Sequence, residues 1–198
     1  MTDNEIIRLV LNGDRQIFRL LVEKHQSMVF RTCMGFLHNK NDAEDLAQDI
    51  FIQAYQSLEG FRADSSFSTW IYRIAVNASL NRVRKNTGNM ILHRIDTFFY
   101  PIQDKELLSS FHDYVNPESI LISKEQNKWV QNALDSLPEN QRTAIVLSKY
   151  DDLPQKEIAE IMKTTEGAVE ALIQRAKANL RIKLASSSKK EKKTVGKV

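Results

Sequence analysis

The chain has little of what most enzymes and secreted proteins require. Cys33 is the only cysteine in 198 residues, which excludes an intramolecular disulfide and any cysteine-based metal cluster. Four histidines, His25, His38, His93 and His112, are scattered without ligand-like spacing, which argues against a zinc site. Six glycines leave scant material for a phosphate-cradling loop, and no GxGxxG, P-loop, HExxH or GxSxG pattern occurs. No apolar run approaches the roughly 20 residues needed to span a bilayer, and the polar start MTDNE lacks the charge pattern of a signal peptide. An enzyme is disfavoured, no cofactor or metal is expected, and the expected location is cytoplasmic, without membrane insertion.

What is present is enough apolar material, 42% of residues, for one ordinary domain or two small ones. The net charge of +3 is unevenly spread: +1 over residues 1–85, −3 over 86–125 and +5 over 126–198. A basic C-terminal part suits a nucleic-acid partner, although a lysine-rich end at Lys189 to Lys193 supplies some of the charge.

Helical periodicity dominates, and the expectation is an all-α fold of two small helical domains joined by a flexible linker. Ile6, Ile7, Leu9, Val10 and Leu11 read as a short helix, and Asp14 as the N-cap of a restart. From Gln16 to Leu37 the spacing predicts one long helix, with a break near His25 to Ser27. After a loop at 38–41, the stretch DAEDLAQDIFIQAYQSL puts Ala43, Leu46, Ala47, Ile50, Phe51 and Ala54 on one stripe. Asp42, Asp45 and Asp49 lie on another face, with Gln48 beside them. Acids in a first turn complement the helix dipole, which accounts for Asp42, Glu44 and Asp45; a docking face for a basic partner helix accounts for Asp49 as well. A metal on this row is a third reading, without histidine ligands to support it. Gly60 is expected to end the helix.

Residues 61–85, FRADSSFSTWIYRIAVNASLNRVRK, concentrate aromatics, hydroxyls, amides and positive charge. A polar loop of Arg62, Asp64, Ser65 and Ser66 lies between Phe61 and Phe67, and Ser68 or Thr69 is the expected cap of the next helix. Arg73, Asn77, Asn81 and Arg84 share one face of that helix, and Arg82 and Lys85 add charge to its far end. With Phe61, Phe67, Trp70 and Tyr72, these groups suit an opened nucleic-acid strand: aromatic faces stack on bases, amides meet base edges and cations hold phosphates. A core helix with a solvated basic end fits the same residues. Trp70 in particular is either a wedge against DNA or a core anchor, and its exposure decides.

Between 87 and 116 the helical period lapses around Gly88, Pro101 and the aromatic run Phe98, Phe99, Tyr100, which reads as a linker between domains at 1–86 and 117–184. Asn116 and Pro117 open a helix running to about Ser136. Pro138 opens the next, with Ala144, Ile145, Leu147 and Tyr150 facing inward. Pro154 starts a short helix bearing Ile158, Ala159, Ile161 and Met162; Lys163 to Thr165 turn the chain; a second helix carries Val169, Leu172, Ile173, Ala176 and Leu180. The pair is a helix-turn-helix or a plain helical hairpin. Its exposed face displays Glu166, Gly167, Glu170, Ala171, Gln174, Arg175 and Lys177, and 185–198 read as a disordered basic tail.

Together these stretches resemble the bacterial sigma-70 family, in particular its short two-domain extracytoplasmic-function (ECF) group. DAEDLAQDIFIQAY is similar to the family's region 2.2, FRADSSFSTWIYRIAVNASLNRVRK to regions 2.3 and 2.4, and SLPENQRTAIVLSKYDDLPQKEIAEIMKTTEGAVEALIQRAKANL to region 4. The resemblance runs from about Asp14 to Leu184, linker excluded, and lacks the family's middle domain. It implies an alternative sigma factor without catalytic activity that binds core RNA polymerase, directs it to promoters and helps open the duplex. By resemblance, Asp42, Glu44, Asp45, Gln48 and Asp49 dock on the β′ clamp helices, and the β flap is the further core contact. The minus-ten set is Phe61, Arg62, Asp64, Ser65, Phe67, Trp70, Arg73, Asn77, Asn81 and Arg84, with 61–67 capturing a flipped base. The minus-thirty-five set is Glu166, Gly167, Glu170, Ala171, Gln174, Arg175 and Lys177. An anti-sigma partner, often membrane-anchored, is typical of the group.

Two departures stand out. Housekeeping members carry two adjacent tryptophans where this chain has Trp70 and Ile71, so one wedge against the upstream duplex is missing. Many relatives carry a basic residue and a serine where this chain has Glu170 and Ala171. The competing expectation is a helix-turn-helix regulator that does not recruit polymerase.

Overall fold

The computed structural model describes residues 1–86 and 124–195, with side chains for 1–85 and 128–185. The chain divides into two compact units, Met1–Asn116 and Pro117–Val198. All regular structure among the described residues is helical. The linker expected at 87–116, its aromatic run and the helix start at Asn116 and Pro117 lie outside the described residues.

The described residues of the first unit form four α-helices. α1 (Asp3–Leu11) opens on a reciprocal cap: the Thr2 hydroxyl accepts from the Glu5 N–H at 3.3 Å, and the Glu5 carboxylate accepts from the Thr2 N–H at 2.7 Å. It buries Ile6, Ile7 and Val10 and leaves Leu9 and Leu11 exposed. Asp14, expected as an N-cap, makes no side-chain capping bond. Gly13, at φ 107°, turns the chain there into a 3₁₀ turn, Arg15–Phe18.

α2 (Arg19–Leu37) is continuous, and the break expected near His25 to Ser27 does not exist. His25 is buried instead, its Nε2 3.0 Å from Asp3 Oδ2, and Lys24 Nζ reaches the other oxygen of the same carboxylate at 2.6 Å. The polar residues that read as an interruption are thus the ones that fasten α1 to α2. Partial burial works against the Asp3 carboxylate, but the Lys24 ammonium and His25 outweigh it and hold the carboxyl below its ordinary value. Burial pushes the His25 imidazole down despite the pull of Asp3.

His38, at φ 57°, ends α2, and Asn39 caps α3 (Lys40–Gln56) by accepting from the Asp42 N–H at 3.1 Å, so two residues make the connection expected to take four. α3 stops at Gln56, before Gly60, and a 3₁₀ turn, Leu58–Gly60, drops Leu58 into the core. α4 (Phe67–Asn86) then packs on α2 and α3. Where it meets α2, buried Ser79 donates to the buried Cys33 sulfur at 3.9 Å, and two small side chains let the helices approach closely.

The second unit comprises α5 (Lys124–Asp135), α6 (Glu139–Lys149), α7 (Gln155–Met162) and α8 (Glu166–Val195). Ala144, Ile145 and Leu147 are buried as the spacing predicts. Tyr150 is not: it follows the last turn of α6 and is 39% exposed. Arg142, 2% exposed, donates from Nη2 to Asp135 Oδ1 at 2.5 Å and so pins α6 to the end of α5. Asn179 donates to Gln141 at 2.8 Å and ties α8 to α6. The disordered tail expected from 185 is helix as far as Val195. Residues 168–195 contain no glycine or proline and are rich in alanine, lysine and leucine, so nothing local stops the helix.

Candidate functional site

Three surfaces bring the expected residues together, two on the first unit and one on the second. On α3 the buried stripe of Ala43, Leu46, Ala47, Ile50, Phe51 and Ala54 faces the core, which turns the acids outward. Asp45 and Asp49 are exposed, and Asp42, Glu44 and Gln48 are half-buried beside them. Two of these acids already have cations of this chain: Lys40 Nζ lies 3.6 Å from Glu44, and Arg82 Nη2, from α4, lies 3.9 Å from Asp42. Crowding by neighbours desolvates the Asp49 carboxyl and raises it above its ordinary value; the Arg82 charge counters the rise and Asp45 adds to it. A carboxylate raised in this way gains from a further cation. The described residues contain no group of three or more His, Cys, Asp or Glu side chains placed to hold a metal ion.

The second surface is the loop 61–66 with the start of α4. Phe67 is 1% exposed and sits in the core against His25, with ring centroids 5.2 Å apart. Phe61 and Trp70 lean on it: Phe61 meets Phe67 edge-on at 6.0 Å and Trp70 at 5.3 Å, and Phe67 and Trp70 are 5.6 Å apart. The aromatic platform anticipated for bases is therefore mainly a support. Phe67 and Tyr72 are buried and cannot offer a ring face to a base. Trp70, half-buried and packed on the core, is an anchor with one exposed part. Ile71 is fully buried, so the neighbouring position faces the interior and is no seat for a second wedge.

What the support holds up is polar. Arg62, Ala63 and Asp64 are exposed, and Ser65 is half-buried where Arg73 Nη1 donates to its hydroxyl at 3.4 Å. Ser66, rather than Ser68 or Thr69, caps α4: its Oγ accepts from the Thr69 N–H at 3.1 Å and bonds both neighbouring hydroxyls, Ser68 at 2.8 Å and Thr69 at 2.9 Å. Ala63 holds φ 59°, a conformation that costs a residue with a Cβ about 1–2 kcal/mol. Along α4, Asn77 is the exposed member of the expected stripe. Arg73, Asn81 and Arg84 are half-buried, and Arg84 Nη1 donates to Asn81 Oδ1 at 3.3 Å.

The third surface belongs to α7 and α8. Lys163, at φ 52°, ends α7 and reverses the chain, and the Thr165 hydroxyl caps α8 by accepting from the Ala168 N–H at 3.2 Å. Ile158, Ala159 and Ile161 from α7 and Val169, Ile173 and Ala176 from α8 are buried. The opposite face of α8 presents Glu166, Gly167, Glu170, Gln174, Arg175 and Lys177 to solvent, with Ala171 half-buried among them. A Cβ at Gly167 would meet nothing within 4 Å. The fold itself does not ask for glycine there.

Sequence reasoning named Ser66 and Arg82 but missed the capping role of the first and the Asp42 partner of the second, and it missed the backbone conformation of Ala63. A serine directly before a helical run was a usable signal for the first; nothing local marks the other two.

The family model for Sigma-70 region 2 matches residues 21–88, and that for Sigma-70, region 4 matches residues 127–180. The chain is 34% identical over 182 residues to the ECF RNA polymerase sigma factor SigW of Bacillus subtilis, covering 90% of this chain and 94% of that protein. It is 33% identical over 178 residues to the RNA polymerase sigma-H factor of Pseudomonas aeruginosa, covering 88% and 90%. The ECF RNA polymerase sigma-E factor of Escherichia coli K12 is similar at 34% over 177 residues, covering 89% and 91%. Among solved structures, CnrH in complex with the cytosolic domain of CnrY shares the fold, with a TM-score of 0.62 at 22% identity over 93% of this chain and 97% of that one. The sigma factor RpoE of Bartonella quintana, solved with the anti-sigma factor NepR, shares it with a TM-score of 0.54 at 19% identity, covering 85% and 96%.

Proposed function

The chain belongs to the extracytoplasmic-function group of the sigma-70 family and is an alternative RNA polymerase sigma factor, and from that premise we propose a division of labour among its three surfaces. The acidic face of α3, Asp42, Glu44, Asp45, Gln48 and Asp49, docks on the β′ clamp helices of core polymerase. The loop Arg62–Ser65 takes up one base flipped from the minus-ten strand, while Phe61, Phe67 and Trp70 hold the loop in shape from below. Extruding that base costs a few kcal/mol of stacking, which contacts in the loop must return. Arg73, Asn77, Asn81 and Arg84 follow the duplex edge beside it. On the second unit, α8 lies in the major groove of the minus-thirty-five element, where Gln174 meets base edges and Arg175 and Lys177 meet phosphates. Glu170 accepts from a cytosine N4 and Ala171 offers its methyl to a thymine, so this protein reads a sequence different from that of relatives with a basic residue and a serine there. The protein acts in the cytoplasm as an initiation factor rather than an enzyme, contacts the β flap through its second unit, and is restrained by an anti-sigma protein.

The observation that carries this reading is the placement of the first two surfaces. The acidic face and the loop with its polar stripe are turned outward by one shared core, so a single rigid unit offers polymerase and DNA separate faces. A helix-turn-helix regulator that does not recruit polymerase would leave that acidic face and the region 2 match without a role.

The test is transcription from a promoter library by the protein with core polymerase. Transcripts starting downstream of one shared motif are expected; DNA binding without transcription would refute the reading. Within it, Asp49→Arg loses polymerase binding, whereas Asn77→Ala keeps binding and loses open-complex formation. Failure of both variants at the same step would refute the division of labour.

A further inference from the structure

Arg82 sits where the acidic face of α3 is offered to a partner. Its guanidinium comes from α4, the helix that otherwise serves the minus-ten surface, and reaches across to within 3.9 Å of Asp42, with both side chains partly exposed, 37% and 48%. The same charge bears on Asp49, two turns further along α3. The only other cation paired with this face among the described residues is Lys40, which bonds Glu44 from one turn earlier on α3 itself. Arg82 differs because it belongs to a neighbouring helix and lies alongside the row rather than at its end.

We propose that Arg82 is an internal stand-in for the partner's cations: it neutralises Asp42 and part of the Asp49 field in the free protein and must be displaced when a basic helix docks. This rests on the docking role of α3 and deepens it. The geometry suits a placeholder. At 3.9 Å the pair is an ion pair without a hydrogen bond, weak enough to give way to a better-placed cation. Until then it lowers the net negative charge that α3 shows to other basic surfaces, nucleic-acid-binding proteins and lipid-free polycations included. Displacement also leaves Arg82 unpaired at the boundary between the acidic face and the α4 stripe, where a backbone phosphate is the available counter-charge. Polymerase binding and DNA binding are then linked through one side chain.

The experiment measures binding of the full-length protein to core polymerase, without DNA, at two salt concentrations. Arg82→Ala is expected to bind about two- to fivefold tighter at low salt, with the gain shrinking at high salt. Lys40→Ala is expected to gain less. In an Asp42→Asn background the gain from Arg82→Ala should fall to the smaller part that acts on Asp49; an equal gain in both backgrounds would overturn the proposal in favour of simple charge removal. Unchanged or weaker binding by Arg82→Ala also overturns it. Asp49→Arg separates the two layers: if it leaves polymerase binding intact, the docking face itself is wrong, whereas if it abolishes binding and Arg82→Ala has no effect, only the stand-in is wrong. Thermal denaturation of Arg82→Ala, expected to match the parent closely because the pair is exposed, excludes misfolding as a cause.

Discussion

The two units hold their working surfaces by different means. In the first, four helices enclose a continuous apolar core that extends under the loop, so that Phe67, Phe61 and Trp70 carry core packing up to the exposed residues. In the second, the described core is smaller and is completed by a cation: Arg142 is buried and joins α6 to the end of α5 through Asp135. A small domain buries a lower fraction of its surface and has less apolar energy to spend. The comparison teaches that the loop surface owes its shape to aromatic packing, whereas α8 is held by a small apolar seam, Val169, Ile173 and Ala176, and by polar ties among its neighbours, Asn179 to Gln141 and Arg142 to Asp135.

The largest effect is expected from Phe67→Ala. Removing a ring that is 1% exposed should cost the first unit about 3–5 kcal/mol and release Phe61 and Trp70 from their common support. Amide hydrogen exchange should show the loss in α1 to α4 and leave α6 to α8 protected. Equal loss in both units would break the comparison. Next comes Arg142→Ala, expected to cost the second unit about 2–3 kcal/mol, below the full penalty for an orphaned buried charge because Asp135 is 44% exposed and can turn to water. Arg142→Met, which restores the apolar stem, should recover much of the loss; if it recovers none, the clamp is electrostatic rather than a packing device.

The smallest effect is a pH dependence confined to the first unit. Burial lowers the His25 pKa below its ordinary 6.5, so the unfolded chain binds that proton more readily than the folded one. The stability this group supports is therefore full above about pH 6.5 and falls as pH drops through that value. Asp3 adds nothing in this window, since its own carboxyl is held below 3.8 and its contribution is lost only in stronger acid. Asp3→Asn removes the charge that pulls His25 back up, and should steepen the fall in melting temperature between pH 7.5 and 5.5. A flat profile in both proteins would place His25 outside the titrating groups.

Local periodicity made much of the fold legible. The stripe of Ala43, Ile50 and Phe51 against Asp42, Asp45 and Asp49 needs only 3.6 residues per turn to be read, and the structure keeps both faces. The face of α8 from Glu166 to Lys177 was legible on the same grounds. Long-range partners were not. His25 looked like a break because the group that satisfies it, Asp3, is 22 residues away, and Arg82 is 40 residues from the Asp42 it meets. Phe67 read as a candidate base platform because an aromatic beside a polar loop has the same local signature whether it points outward or inward. Tyr150 failed for the opposite reason: an apolar ring after a helix follows the stripe in sequence but has left the helix in space.

Ala63 gives the loop a further property. A glycine at φ 59° would hold that backbone more cheaply, yet it would also sample many other shapes. A methyl group there narrows the ensemble, so the loop meets its ligand as a mould already cast rather than as a chain that closes around whatever enters. Under the base-capturing role proposed above, a mould rejects what does not fit, and the expected outcome is a stricter sieve among the four bases, gained at some expense to the speed with which an imperfect promoter is opened.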